Sequence, residues 1–252
     1  MADTKLSALT ELAALPAVDD EIYIRDVSEA AADESKRITV ANLAKASLLT
    51  SRMRAYMSTA AQPIPASTTI VLLLDAESFD TLGEFDNSVK SGAADATEAN
   101  KLHDADGGFA ASDVGATLWN TTDNTYTKVS AFVDSGELTL TDNIMVDTEN
   151  YKLFWSRFVA TVTGYYLIKG SYLTSAVVAG KDVVISIYVN GSSVAGEQQP
   201  GTGAGFYHRS ASDIVYLEAD DYVQLVAYHT DTTARTIYNS TLYTWMSIHR
   251  LS

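Results

Sequence analysis

The residues of this chain that could do chemistry are spread too thinly to form any familiar catalytic arrangement. No two of its four histidines, His103, His208, His229 and His249, lie three or four residues apart, so none pairs on a helical face as zinc ligands do. They read as exposed or core-packed imidazoles rather than bases or ligands. Serine is frequent, but no Gly-x-Ser-x-Gly elbow occurs. Gly201-x-Gly203-x-Gly205 resembles a phosphate-binding turn, yet it follows Pro200 and runs into a strand pattern rather than a helix, which makes it a loop. Acidic groups crowd around Phe79 and Phe85 (Asp75, Glu77, Asp80, Glu84 and Asp86), and Asp104 and Asp106 precede Gly107. Carboxylates at such density suit calcium, but the EF-hand spacing is missing. Solvated acidic loops are expected, with a calcium site as the alternative. Nothing suggests a carboxylate pair in a groove, as a glycosidase needs. The chain is therefore expected not to be an enzyme and to carry no cofactor.

The aromatic side chains are the stronger signal. Phe206, Tyr207 and His208 follow the glycine-rich stretch and form a candidate receptor-contact loop. Tyr166, Tyr216, Tyr228, Tyr243 and Trp245 belong either to a core or to a seam between subunits. The last strand, expected over residues 241–250, alternates Leu242, Thr244, Met246 and Ile248 against Tyr243, Trp245, Ser247 and His249. Bulky groups on both faces suggest that one meets the core and the other a second subunit.

The elements that hold these residues divide the chain into three textures. In residues 1–50, Leu6, Leu9 and Leu12 suggest a short helix stopped by Pro16. Residues 21–26 and 36–40 alternate as strands around an Ala- and Asp-rich loop at 28–34, and residues 41–49 read as a short helix. Two strands and a helix in fifty residues bury little surface alone, so this segment needs a partner. From Met53, strands are expected at 56–61 and 68–74, with Pro63 and Pro65 marking a turn and 88–108 a surface loop. Residues 114–154 then alternate short strands with Asp, Asn and Gly turns, a small β-module of about forty residues. Residues 155–252 carry the hairpin signal Asn190-Gly191, a flexible loop at 196–205, and strands at 213–217 and 222–228.

The composition sets the bounds. The chain has 252 residues, 46% of them apolar, a net charge of -15 and no cysteine. It is large enough for a packed core and excludes disulfides and thiolate metal sites. Its acidity argues against nucleic acid, which needs clustered cations. Lys36-Arg37 and Arg52-Met53-Arg54 come nearest, beside a strand and at an expected helix end. No apolar run approaches the roughly 20 residues that span a bilayer, and the first residues lack the basic and apolar stretches of a secretory signal.

Two stretches carry resemblances. Phe158-x-Ala160-x-x-x-Gly164-x-Tyr166, Val189-Asn190-Gly191 and Leu217-x-Ala219-Asp220-Asp221-x-Val223-x-Leu225 are similar to the jelly roll of the complement component one q globular head and the tumour necrosis factor superfamily. The family usually carries Gly where Ala219 stands, and a glycine near Thr244-Trp245 that this chain lacks. The N-terminal stretches Lys5-Leu6-Ser7-Ala8-Leu9, residues 19–26 and residues 36–43 resemble the particle anchor of tailed-phage fibre and spike proteins. Residues 120–124 and 142–145 resemble short β-modules of phage structural proteins.

The resemblance implies a mainly β chain in two parts: an anchor at 1–50, and a jelly-roll β-sandwich at 51–252 interrupted at 87–154 by a loop plus small β-module. It implies a homotrimer on the exterior of a virion. Leu6, Leu9, Ile22, Tyr23, Ile24, Ile38, Val40 and Leu43 would bind a capsid, collar or tail protein, and the distal domain would bind a host-surface glycan or protein. No nucleic-acid partner and no membrane insertion are expected. A capsid decoration without a receptor and a glycan-degrading spike are the alternatives.

Overall fold

The structure is a computed structural model and describes residues 21–25, 35–39 and 50–251, in two units, 1–50 and 51–252. In the first unit β1 (Glu21–Arg25) pairs antiparallel with β2 (Ser35–Thr39), placing Ile22 opposite Ile38 and Tyr23 opposite Arg37. These are the two strands that the alternation of residues 21–26 and 36–40 leads one to expect. Leu6, Leu9, Val40, Leu43 and both expected helices lie outside the described residues.

The second unit begins with β3 (Arg52–Tyr56), β4 (Gln62–Ile64), β5 (Ile70–Val71), β6 (Ala76–Asp80) and β7 (Phe85–Asp86). A run of six strands follows: β8 (Val89–Ala93), β9 (Lys101–His103), β10 (Thr117–Asn120), β11 (Thr125–Asp134), β12 (Glu137–Leu140) and β13 (Asn150–Phe154). The chain continues as β14 (Arg157–Val159), β15 (Gly164–Thr174), β16 (Asp182–Val189), β17 (Ser192–Pro200), β18 (Tyr207–Leu217), β19 (Tyr222–His229), β20 (Arg235–Ile237) and β21 (Trp245–Arg250).

Two antiparallel sheets form a sandwich, one ordered β6-β3-β21-β15-β18 and the other β7-β14-β19-β16-β17. The eight principal strands, numbered in chain order from β3 to β21, run 1-8-3-6 in one sheet and 2-7-4-5 in the other. That order is a jelly roll built of Greek keys. The alternation of apolar residues fixes which face points in. Met53 and Ala55, Tyr166 and Ile168, Val183, Ile185 and Ile187, Val223 and Leu225, and Met246 and Ile248 interleave in one core. Gly170 belongs there because a Cβ on it would stand 2.5 Å from Leu225 Cδ1. Asn190 and Gly191 have φ of 50° and 79° between paired Val189 and Ser192. This is the two-residue hairpin read from the sequence.

The strands β8 to β13 form a separate sheet, ordered β8-β13-β10-β11-β12-β9, with its own core around Leu102, Leu118, Val129, Leu138, Tyr151 and Leu153. The module is larger than its turn pattern implies. Residues 88–108, read as a surface loop, contribute β8 and β9, which pair with β13 and β12. Other elements also differ from the sequence reading. Arg52, Met53 and Arg54 lie in strand β3, not at a helix end, and residues 57–61 are outside it. Pro63 sits inside β4, which pairs only with β20; proline is tolerated there because an edge strand has one side without ladder partners. Of residues 68–74, only Ile70 and Val71 form ladder pairs. Leu73 and Leu74 instead donate their N–H groups to Gln62 Oε1 and Ser156 Oγ, at 3.0 and 2.9 Å. Residues 196–200 belong to strand β17 rather than a flexible loop. The closing strand begins at Trp245, and Met246 and Ile248 point inward as its alternation requires.

A buried polar cluster ties β19 to β20. Asp231 is fully buried and accepts hydrogen bonds from Val178 N–H (2.8 Å), Thr232 N–H (2.7 Å) and Arg235 Nε (2.9 Å). Burial raises its pKa, but these donors outweigh it and bring the carboxyl to about 2. The Asp231 N–H donates to His229 Nδ1 (3.1 Å), which leaves the His229 Nε2–H to donate to the Ile64 carbonyl (3.1 Å). Burial holds the imidazole pKa below its usual value. Both groups bind protons less readily folded than unfolded, so stability falls as pH falls. The His229 loss starts near pH 6.5, and the Asp231 loss runs from about pH 4 down to about 2. Urea titrations across pH 8 to 2 should show both steps. Asp231→Ala should cost about 2–4 kcal/mol at neutral pH, because three donors lose their acceptor, and should remove the lower step.

Candidate functional site

Two surfaces of the second unit merit attention, one on each sheet. The first begins with β19, which lies between two apolar layers. Its Val223, Leu225 and Ala227 enter the sandwich core, while Val226 joins Val71, Leu73, Trp119 and Phe154 in a separate cluster beneath the inserted module. The Trp119 and Tyr126 rings stack with centroids 5.7 Å apart, and the Tyr126 hydroxyl donates to the Pro63 carbonyl at 2.8 Å. These contacts fix the module on the sandwich.

Beside them is a cleft of about 470 Å³, lined by β10, β11, β16 and β19 and the loops beside them. Its polar side chains include Thr117, Thr127, Lys128, Asp142 and Gln224, and its aromatic ones Tyr126, Tyr188 and Tyr222. Lys128 Nζ donates to Thr117 Oγ1 at 2.8 Å. Lys128 is solvent-exposed, yet partial desolvation by the cleft walls, together with the Arg157 charge, lowers the ammonium pKa to about 8. Arg157 lies flat on Trp155, its guanidinium carbon 3.6 Å from the ring centroid, and 5.7 Å from Tyr222. Its Nε is buried without a hydrogen-bond partner, and Asp86 Oδ2 stands 3.8 Å away. Asp142 is engaged: Thr127 Oγ1 donates to its Oδ2 at 3.0 Å. Gln224 donates its amide to the Trp155 carbonyl at 2.7 Å, which keeps its oxygen as an acceptor.

The second surface is the outward face of the β18-β15-β21-β3 sheet. Tyr165 and Tyr216 are paired across β15 and β18, both 52% exposed, with centroids 5.2 Å apart. The next outward pair, Leu167 and Ile214, extends the strip, and Ile214 is 56% exposed. His208 packs edge-on against Tyr243, and Arg54 covers Trp245.

The residues singled out from the sequence separate between core and surface. Tyr166 is fully buried against Phe158. Tyr228 is half-buried on β19, opposite Val184. Tyr216 and Tyr243 are exposed, and Trp245 is partly so. Tyr207 and His208 are strand residues of β18, not loop residues. Tyr207 is buried, its oxygen accepting the Thr202 N–H, while Phe206 is 66% exposed against Tyr238. The acidic stretch serves largely as backbone caps. Asp75 accepts from Ser58 and Thr59, Asp80 from Leu82, Gly83 and Phe85, and Glu84 from Thr161. Among the described residues no three His, Cys, Asp or Glu side chains are grouped to hold a metal. The cleft residues escaped the sequence reading because they come from four distant strands, and Lys128 sits in an ordinary alternating segment.

Neither a protein-family model nor a curated protein matches the chain. Among solved structures it is similar to murine APRIL, with 9% identity, 80% of this chain and 99% of that chain covered, and a TM-score of 0.39. It is also similar to Eiger TNF from S. frugiperda, with 8% identity, 81% and 93% covered, and a TM-score of 0.37. The jelly-roll assignment rests on the strand order described above.

Lys128 provides a direct chemical check on the cleft. A pKa near 8 makes its amine far more nucleophilic near neutrality than that of Lys101, whose pKa is raised by its bond to Glu137. With limiting acylating reagent at pH 8, peptide mass spectrometry should find Lys128 labelled about tenfold faster or more. Equal labelling would contradict the crowding and the Arg157 repulsion.

Proposed function

We propose that the chain is a non-enzymatic, trimeric virion appendage, a fibre or spike, attached through residues 1–50, whose jelly roll adheres to a host surface. The observation that carries the reading is the strip Tyr165, Leu167, Ile214 and Tyr216 on the outward face of one sheet. The other sheet has its outer face partly covered by the module through Val226 and Trp119, so the first is the face left to pack on something else. A contiguous aromatic and aliphatic strip on a strongly acidic chain favours burial against a partner. Identical copies around an axis provide one with the same surface chemistry. The resemblance of residues 5–9, 19–26 and 36–43 to phage anchors supports the particle assignment, as does the small size of a unit whose described part is a two-stranded hairpin. Three weak sites per spike would gain adhesion by effective concentration.

Sedimentation of the full chain at micromolar concentration should give a trimer. Ile214→Lys combined with Tyr216→Lys should shift it to monomer, with the circular-dichroism spectrum retained because both side chains are exposed. Removing residues 1–50 should leave a soluble trimer that no longer joins particles and still binds host cells. A monomeric full chain, or a truncated chain that still joins particles, would refute the corresponding half of the reading.

A further inference from the structure

The cleft between the inserted module and the sandwich is not needed for the anchoring or the self-association proposed above, yet it has the make-up of a binding site. Its volume of about 470 Å³ falls within the range of small-molecule sites. What distinguishes it is charge. On a chain of net charge -15, Lys128 has Thr117 as its hydrogen-bond acceptor and a second cation, Arg157, as its charged neighbour. Arg157 has Asp86 as a counter-charge at 3.8 Å and lies over Trp155, but its Nε is buried without a hydrogen bond. Two cations that repel each other at the edge of a cavity are stabilised by an anion. Around them, Thr69, Thr117 and Thr141 place hydroxyls on the lining, and Tyr188 and Tyr222 add aromatic groups. Hydroxyl and amide groups suit the polar edges of a sugar ring and aromatic faces suit its C–H side.

We propose that this cleft binds a carboxylate-bearing saccharide residue, with Lys128 as the ionic contact and the aromatic side chains packing against the ring. The proposal rests on the adhesive reading and supplies its ligand class and location. The groups that face Lys128 also set the pH behaviour. Asp142 and the phenols of Tyr126, Tyr188 and Tyr222 line the same cleft, and Arg157 at the start of β14 is its charged neighbour. Asp142 Oδ2 accepts from Thr127 Oγ1, and Lys128 is a cleft cation whose charge changes near neutrality. A pKa of about 8 for Lys128 implies that an anionic sugar binds well at pH 7 and progressively less well as pH rises past 8.

The test uses the full chain on an array of immobilised glycans that includes uronic and sialic acid termini alongside neutral ones. Expected are binding to the carboxylated set, a loss of tenfold or more for Lys128→Met, partial retention for Lys128→Arg, and no change for Lys181→Met, which precedes β16 at the end away from the cleft residue Tyr188. Binding of the free acidic monosaccharide, followed by chemical shifts of the lysine ammonium, should weaken between pH 7.5 and 9. Glycan binding that survives Lys128→Met in a folded variant, or that is restricted to neutral sugars, would overturn the cleft assignment and leave adhesion intact. Absence of binding to every glycan and to host cells would overturn the adhesive reading and this inference together. Binding to host cells without any to glycans would reject the saccharide while adhesion stands.

Discussion

Strand β19 has to be buried on both faces, and much of the second unit follows from that. Strands of a sandwich ordinarily show one face to solvent. Here Val223, Leu225 and Ala227 point into the sandwich, and Gln224 and Val226 point outward yet are nearly inaccessible. An apolar outer face needs a lid, which the module provides through Trp119 and Phe154. A buried carboxamide needs a partner, which Gln224 finds in the Trp155 carbonyl at the end of the same insertion. The segment at residues 70–74 runs beside β19, pairing with it through Ile70 and Val71, and its Val71 and Leu73 join the outer apolar cluster. It is pinned not by a full ladder but by Gln62 and Ser156 side chains that satisfy its amides, since a buried N–H without an acceptor costs about 1–3 kcal/mol.

This explains the asymmetry between the sheets. One has its outer face partly closed by a domain of the same chain, with a polar cleft left where the closure is imperfect. The other keeps its aromatic strip open. The two faces pose different packing problems, and in the proposed reading adhesion and self-association divide between them.

How much of this was legible in the residues depends on which force placed each segment. Local turn chemistry is readable: Asn190-Gly191 requires positive φ and forms the expected hairpin. Strong alternation is readable too, as in Met246 and Ile248 of the closing strand. Segments recruited by pairing alone were not. Residues 89–93 are Val-Lys-Ser-Gly-Ala, with no periodicity to betray a strand, and become one because β13 offers a free edge. Residues 192–200 are polar and contain glycine, and are held extended by β16. Pro63 argued for a turn because proline cannot donate, yet at an edge that deficit is harmless. The cleft was invisible for a related reason. Lys128 and Gln224 are ninety-odd positions apart, and neither carries a local pattern that announces the other.

The insertion begins and ends on adjacent, paired strands: Asp86 of β7 lies opposite Arg157 of β14. A segment whose two ends emerge side by side can be lengthened, shortened or exchanged without rethreading the barrel. What any replacement would inherit is a fixed apolar floor of Val71, Leu73 and Val226, and it would have to bring its own aromatic pair to sit there. The sandwich thus acts as a socket, and the inserted module is the fitting that fills it.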